Sequence, residues 1–256
     1  MIASLGMYDG TEAQPANDRL WVLIRDAMRA QGMAAPEALT RGPGAYWQAW
    51  EAPDLVLSQT CGYPYRARLH GKVTLIGTPD YGLQGCPPGY YRSVFLARAD
   101  DHRVTLADFD GAAVAFNDDL SQSGWAGPQV HAARLGLILP PRLRTGGHLL
   151  SARAVAEGRA DIAGIDAVTW GMVQRWEAIA KRLKVVGQTD PVPGLPLIAA
   201  KGADADQLFT IVATAIADLA PQDRATLSLR GLARIPAETY LAMPMPASPA
   251  ALGLLD

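Results

Sequence analysis

Asn117-Asp118-Asp119-Leu120-Ser121-Gln122-Ser123-Gly124-Trp125 stands between a short β-leaning run, Val114 to Phe116, and the helical segment Gln129-Val130-His131-Ala132-Ala133-Arg134-Leu135, which Gly136 closes. Strand, polar turn and helix start in that order put Ser121 and Ser123 at a helix N-terminus. There the first N–H groups lack intrahelical acceptors and the helix dipole is positive, so an anion is attracted. Two hydroxyls add donors without adding charge, and the stretch reads as a cradle for an oxyanion that needs no lysine. The plainer alternative is a Ser123 that caps the helix and a Ser121 that makes a turn. Both readings place a strand-to-helix junction here.

Working outward, the same alternation recurs. Ile2 to Met7 is a strand candidate, and Leu20, Leu23, Ile24, Ala27 and Met28 follow at helical spacing until Gly32 stops them. Asp54 to Ser58 is a short apolar strand, Tyr63 to Leu69 a helix, and Val73 to Ile76 the next strand. Tyr91 to Arg98, preceded by the loop Gly85-Cys86-Pro87-Pro88-Gly89, is the longest β-leaning run and reads as a strand crossing between two lobes. Thr145-Gly146-Gly147-His148 leads into a helix that ends at Gly158, and Asp161 to Asp166 is a strand. Met172, Trp176, Ile179 and Leu183 mark one face of a further helix, with a strand at Val185 and Val186. Pro191-Val192-Pro193-Gly194-Leu195-Pro196 is too rich in proline for a helix and suits a chain crossing back. Leu208, Ile211, Val212, Ala215 and Leu219 give a last amphipathic helix, and the Pro-rich end from Met243 is expected to be poorly ordered. Strand and helix in turn predict an α/β class with mostly parallel sheets flanked by helices.

Composition narrows the function. The 256 residues, 49% of them hydrophobic, suit one large domain or two lobes of about 100 to 150 residues each. With 23 basic against 25 acidic residues, a net charge of −2 and no basic run, nucleic acid is not an expected partner. No apolar run approaches the roughly 20 residues of a membrane span, so no membrane insertion is expected. Met1 to Tyr8 goes straight into a strand with no basic start or cleavage site, so the chain as it stands shows no export leader. The four histidines, His70, His102, His131 and His148, form no i, i+4 pair and join no Cys–His cluster, so no metal is expected. No Gly-Lys-Ser/Thr phosphate loop, Gly-x-Gly-x-x-Gly or Gly-x-Ser-x-Gly occurs, so neither a cofactor nor hydrolase chemistry is indicated. The aromatic group from Tyr46 to Tyr91 reads as core and interface packing.

Four pieces, in order along most of the chain, carry a family resemblance. They are Tyr91 to Arg98; Asn117 to Gly124; Thr145-Gly146-Gly147-His148 with Val155, Gly158, Ala160, Asp161, Ala163 and Asp166; and Thr189-Asp190-Pro191-Val192-Pro193-Gly194-Leu195-Pro196. Together the chain resembles the phosphate/phosphite/phosphonate-binding subunits of ABC transporters. The resemblance implies a two-lobed type II periplasmic-binding-protein fold, with residues 1–95 and 188–256 forming a discontinuous lobe one and 96–187 forming lobe two. It implies that Ser121, Ser123 and the N–H groups near Gly124 hold the oxygens of a phosphonate, phosphite or phosphate from lobe two, with Tyr91 and His148 adding donors. Ser58, Gln59 and Thr60, at the end of a lobe-one strand, would face them across the cleft, where ligands of open α/β sheets gather. Asp166 matches a carboxylate the family places near the ligand, and it reads equally as an acid capping the following helix.

The function expected is therefore capture of a small oxyanion for an ABC permease, with no bond made or broken. The alternatives are a cytosolic lyase-like enzyme or a ligand sensor on the same two-lobed fold. The location is periplasmic by resemblance and cytoplasmic if the chain is complete as it stands. Cys61 and Cys86 each sit in a loop beside a lobe-one strand end and are expected to lie close together, bridged in an oxidising compartment and separate thiols in a cytosol.

Overall fold

The computed structural model describes residues 1–253 and divides into two compact units. One comprises Met1–Tyr90 and Pro193–Leu241, the other Tyr91–Val192 with the segment from Ala242 onward. The strands, in chain order, are β1 (Ile2–Ser4), β2 (Leu55–Gln59), β3 (Val73–Asp80), β4 (Tyr90–Tyr91), β5 (Ser93–Arg98) and β6 (Val114–Phe116). They continue as β7 (Pro141–Arg144), β8 (Ile162–Asp166), β9 (Leu183–Gln188), β10 (Val192–Pro193), β11 (Leu197–Ala200) and β12 (Gly231–Ala233). The short β4 and β10, where the chain passes from one unit to the other, pair with each other.

The first unit's sheet runs β1-β2-β11-β3-β12. Its β1 and β2 are parallel, while β11 lies antiparallel between β2 and β3 and β12 is antiparallel to β3. The helix Gln14–Ala30 buries Leu20, Trp21, Ile24 and Met28 and packs on the helix Ala205–Asp218, which buries Leu208, Ile211, Val212 and Ala215. The first of these ends where the sequence says it should. Gly32 takes φ +77 and Met33 N–H donates to Met28 O at 3.0 Å, a left-handed closure that glycine adopts without a Cβ penalty. Trp50, Leu55, Tyr65, Leu69, Ile198 and Tyr240 form a separate core cluster.

In the second unit the order is β7-β6-β8-β5-β9. Here β6 is parallel to both β7 and β8, and β5 is antiparallel to β8 and β9. Val94, Leu96, Ala163 and Ile165 of the sheet pack with Val155, Trp170 and Val173 from the helices His148–Ala156 and Ala167–Trp176.

The α/β class, with helix-flanked sheets, is as expected. The sheets themselves are mixed rather than mostly parallel, because β5 and β11 enter antiparallel between or beside the βα units. The helix of Met172 also stops earlier than periodicity suggests: Glu177 turns extended (φ −114, ψ 122), residues Ala178–Arg182 form a 3-10 turn, and Leu183 opens β9. The segment from Met243, expected to be poorly ordered, carries a buried Pro249 and a 3-10 turn at Ala250–Leu252.

Candidate functional site

The quoted stretch is where the second unit concentrates its hydroxyls. After β6, Gln122–Ala126 forms a π-helical turn that runs directly into the helix Gly127–Arg134. Ser121 caps it: its backbone is extended and its Oγ accepts the Gly124 N–H at 3.0 Å. The plain reading assigned the cap to Ser123, and the structure gives it to Ser121. Ser123 is released for another contact, with its Oγ 2.9 Å from His148 Nε2.

Close approach to the sheet fixes this turn. A Cβ on Gly124 would lie 1.8 Å from Asn117 Oδ1, and one on Gly164 of β8 would lie 2.3 Å from Pro128 Cγ and 3.1 Å from Ser123 O. A side chain at either position would force Asn117 or Pro128 to move. Ser93, which opens β5, donates from Oγ to Ser123 O at 2.8 Å and pairs in register with Asp166 of β8. Ser121, Ser123, Gly124, His148 and Asp166 are thus brought together through Ser93 and the β8 strand.

His148 is the first residue of its helix, and that helix start is held by Thr145, whose Oγ1 lies 3.1 Å from Phe116 O and 2.7 Å from Ser151 Oγ. Part of His148 is exposed, yet its Nδ1 is covered and has no hydrogen-bond partner among the described residues. Burial pushes the imidazole down to about 4, so it is neutral at pH 7. A neutral ring can offer one N–H and one lone pair, matching either orientation of the Ser123 hydroxyl. Within the stretch, Asp119 is ion-paired with Arg144 at 2.9 Å.

Asp166 is buried, and its Oδ1 accepts Val168 N–H at 2.7 Å and Thr169 N–H at 3.0 Å, which makes it the cap of the helix Ala167–Trp176. Tyr91 is 2% exposed, and the carbonyl of the next residue, Arg92, accepts the Ala167 N–H at 3.0 Å. Sequence reasoning did not single out Ser93 or Thr145 as site residues. A serine directly following Tyr91-Arg92 at the head of an otherwise apolar strand, and a threonine before Gly-Gly-His, were the available signals.

In the first unit, Ser58, Gln59 and Thr60 end β2 and are all buried. Ser58 Oγ lies 2.6 Å from Ser4 Oγ on the neighbouring strand, and Gln59 Nε2 donates to Tyr81 Oη at 3.0 Å and to Leu195 O at 3.2 Å. Thr60 N–H donates to Pro196 O, while its Oγ1 has no hydrogen-bond partner among the described residues. Gln59 also lines an apolar cavity of about 30 Å³, room for a water or two. Cys61 is buried, Cys86 half-buried, and both carry thiols.

Ser121 and Ser123 thus stand at a helix start, joined through Ser93 to Asp166 of β8. The sequence matches, over residues 48–238, the profile of the family described as ABC transporter, phosphonate, periplasmic substrate-binding protein; that span is more than half of the chain, and the chain belongs to this family. No curated protein matches it closely enough to count as a relative. Among solved structures it is similar to XAC2383 from Xanthomonas citri bound to ATP, at 17% identity and TM-score 0.68 over 98% of this chain and 96% of that one. PhnD1 from Prochlorococcus marinus in complex with methylphosphonate matches at 14% identity and TM-score 0.68, covering 93% and 94% of the two chains. The binding-protein component of an ABC phosphonate transporter from Pseudomonas aeruginosa matches at 16% identity and TM-score 0.64, covering 91% and 80%. These likenesses show the fold, that of the two-lobed periplasmic binding proteins. No helix among the described residues is long and apolar enough to cross a membrane.

Proposed function

We propose that this chain captures a small phosphorus oxyanion, a phosphonate, phosphite or phosphate, through the Ser121–Gly124 turn of the second unit, and hands it on unchanged to an ABC permease. The observation that carries the reading is the Ser123–His148 pair at the start of two helices. A hydroxyl and a neutral imidazole meet where N–H groups and helix dipoles favour negative charge. Ser121 has its oxygen on Gly124 N–H, which leaves its own proton to donate to the ligand. Tyr91 adds a phenol.

Asp166 would set which protonation state is preferred. A carboxylate beside a dianion is repelled unless a proton or an ammonium lies between them, so a monoprotonated oxyanion or an amine-bearing phosphonate is favoured. The reading assigns the chain to the periplasm with the rest of its family. Mass spectrometry and phosphorus NMR of whatever is released on denaturing the purified protein test it. A phosphorus oxyanion recovered intact supports the proposal, whereas a carboxylate ligand, or a phosphonate cleaved on standing with the protein, overturns it.

A further inference from the structure

Trp125 follows Gly124 in the ligand turn and is completely buried, its ring 4.9 Å from that of Phe116. Its indole N–H donates at 3.1 Å to the carbonyl of Ala247, 122 residues further along the chain. Ala247 lies in the segment that follows the helix Ala237–Leu241, and just beyond it Pro249 is buried and Ser248 Oγ accepts the Ala251 N–H at 3.2 Å. The C-terminal segment is therefore seated at the point where it meets the turn.

The turn needs such a support. Its backbone bonds are of the wide i to i+5 kind, with Ala126 N–H donating to Ser121 O at 2.9 Å, a geometry that holds itself less well than an α-helix and depends on what packs against it. An indole N–H buried without an acceptor carries the full cost of lost hydration. Without Ala247, Trp125 would gain by turning its N–H toward water, and Gly124 and Ser123 would move with it.

We infer that the C-terminal segment is a positioning element for the ligand turn, acting from Ala247 through Trp125 on Ser123 and Gly124. This rests on the assignment of that turn to the ligand, and two readouts separate the ideas. The first is amide hydrogen exchange of residues 121–127 in the ligand-free protein, for the full chain, for Trp125→Phe, and for a chain ending at Met243. The second is calorimetric affinity for methylphosphonate in the same proteins.

Both variants should raise exchange in 121–127 about five- to tenfold while leaving the amides of β5 unchanged, and should weaken methylphosphonate binding by a similar factor. Adding Trp125→Phe to the shortened chain should do no more than the shortening alone, because the contact it breaks is already gone. Unchanged exchange in 121–127 in either variant, or additive effects in the pair, overturns the inference. A full chain that binds none of methylphosphonate, phosphite and phosphate would refute the ligand assignment, while the exchange measurement would still decide the positioning role. Should the shortened chain not fold, replacing Trp125 by 3-benzothienylalanine carries the test alone, since that side chain keeps the bicyclic ring and removes only the donor, whereas Trp125→Phe also shrinks a fully buried side chain.

Discussion

Ser123, Gly124 and His148 carry different parts of the account and fail differently when changed. Ser123→Ala removes one hydroxyl from a charged ligand and should weaken oxyanion binding by about 1.5 to 3 kcal/mol with folding nearly untouched, as read by equilibrium dialysis. Unchanged affinity would remove the hydroxyl from the site. Gly124→Ala acts through sterics: its methyl would overlap Asn117 Oδ1. Displacing the turn should cost about 1 to 3 kcal/mol of stability and also impair binding, measured by denaturant titration alongside dialysis. His148 ties stability to pH. Its folded value, about 4, lies below the ordinary 6.5, so between those values the unfolded chain takes up a proton that the folded chain refuses. Stability should therefore fall as pH drops from 6.5 toward 4, by up to about 3 kcal/mol, and be unaffected by this group above pH 7. In His148→Gln that part of the slope should vanish. Parallel stability profiles for the two proteins would show that the ring is not held neutral.

At the scale of elements, strand–turn–helix order was legible because hydrophobic spacing and glycine stops are local. Val114 to Phe116, the helix start at His148 and the strand ending at Asp166 were all readable this way. The identity of the cap was not. Ser121 and Ser123 are both serines at a helix entrance, and only the π geometry of Gln122–Ala126 decides which oxygen faces Gly124 N–H. Ser93 escaped notice for a similar reason, since its role comes from pairing with β8, a strand about seventy residues away whose register no local pattern reveals. Asp166 was readable as a cap or a ligand neighbour, and capping is what its Oδ1 does. Asp166→Ala should cost about 1 to 2 kcal/mol of stability by losing that cap. Asp166→Asn keeps an acceptor for the cap and removes the charge. It should flatten the decline in phosphate affinity expected of the wild type as pH rises through the ligand's second ionisation. Parallel affinity profiles would leave Asp166 with the cap alone.

For the whole molecule, the α/β class followed from alternation, while the antiparallel β5 and β11 did not, because strand direction depends on where the chain crosses, and crossings were marked only by Pro191 to Pro196 and the Tyr91 run. The cysteines belong to this scale too. Thiol titration of denatured, unreduced protein decides the Cys61–Cys86 pairing expected in an oxidising compartment: no titratable thiol would show the bridge, and two thiols after aerobic purification would count against it. The central claim, that this chain captures a phosphorus oxyanion with neutral donors, is tested most directly by calorimetric titration of ligand-free protein with methylphosphonate, phosphite, phosphate and sulfate at pH 7. The account predicts saturable one-to-one binding of at least one phosphorus oxyanion and much weaker binding of sulfate, which carries no proton to share with Asp166. Sulfate binding as tight as the best phosphorus ligand, or no binding heat with any of the four, would contradict it.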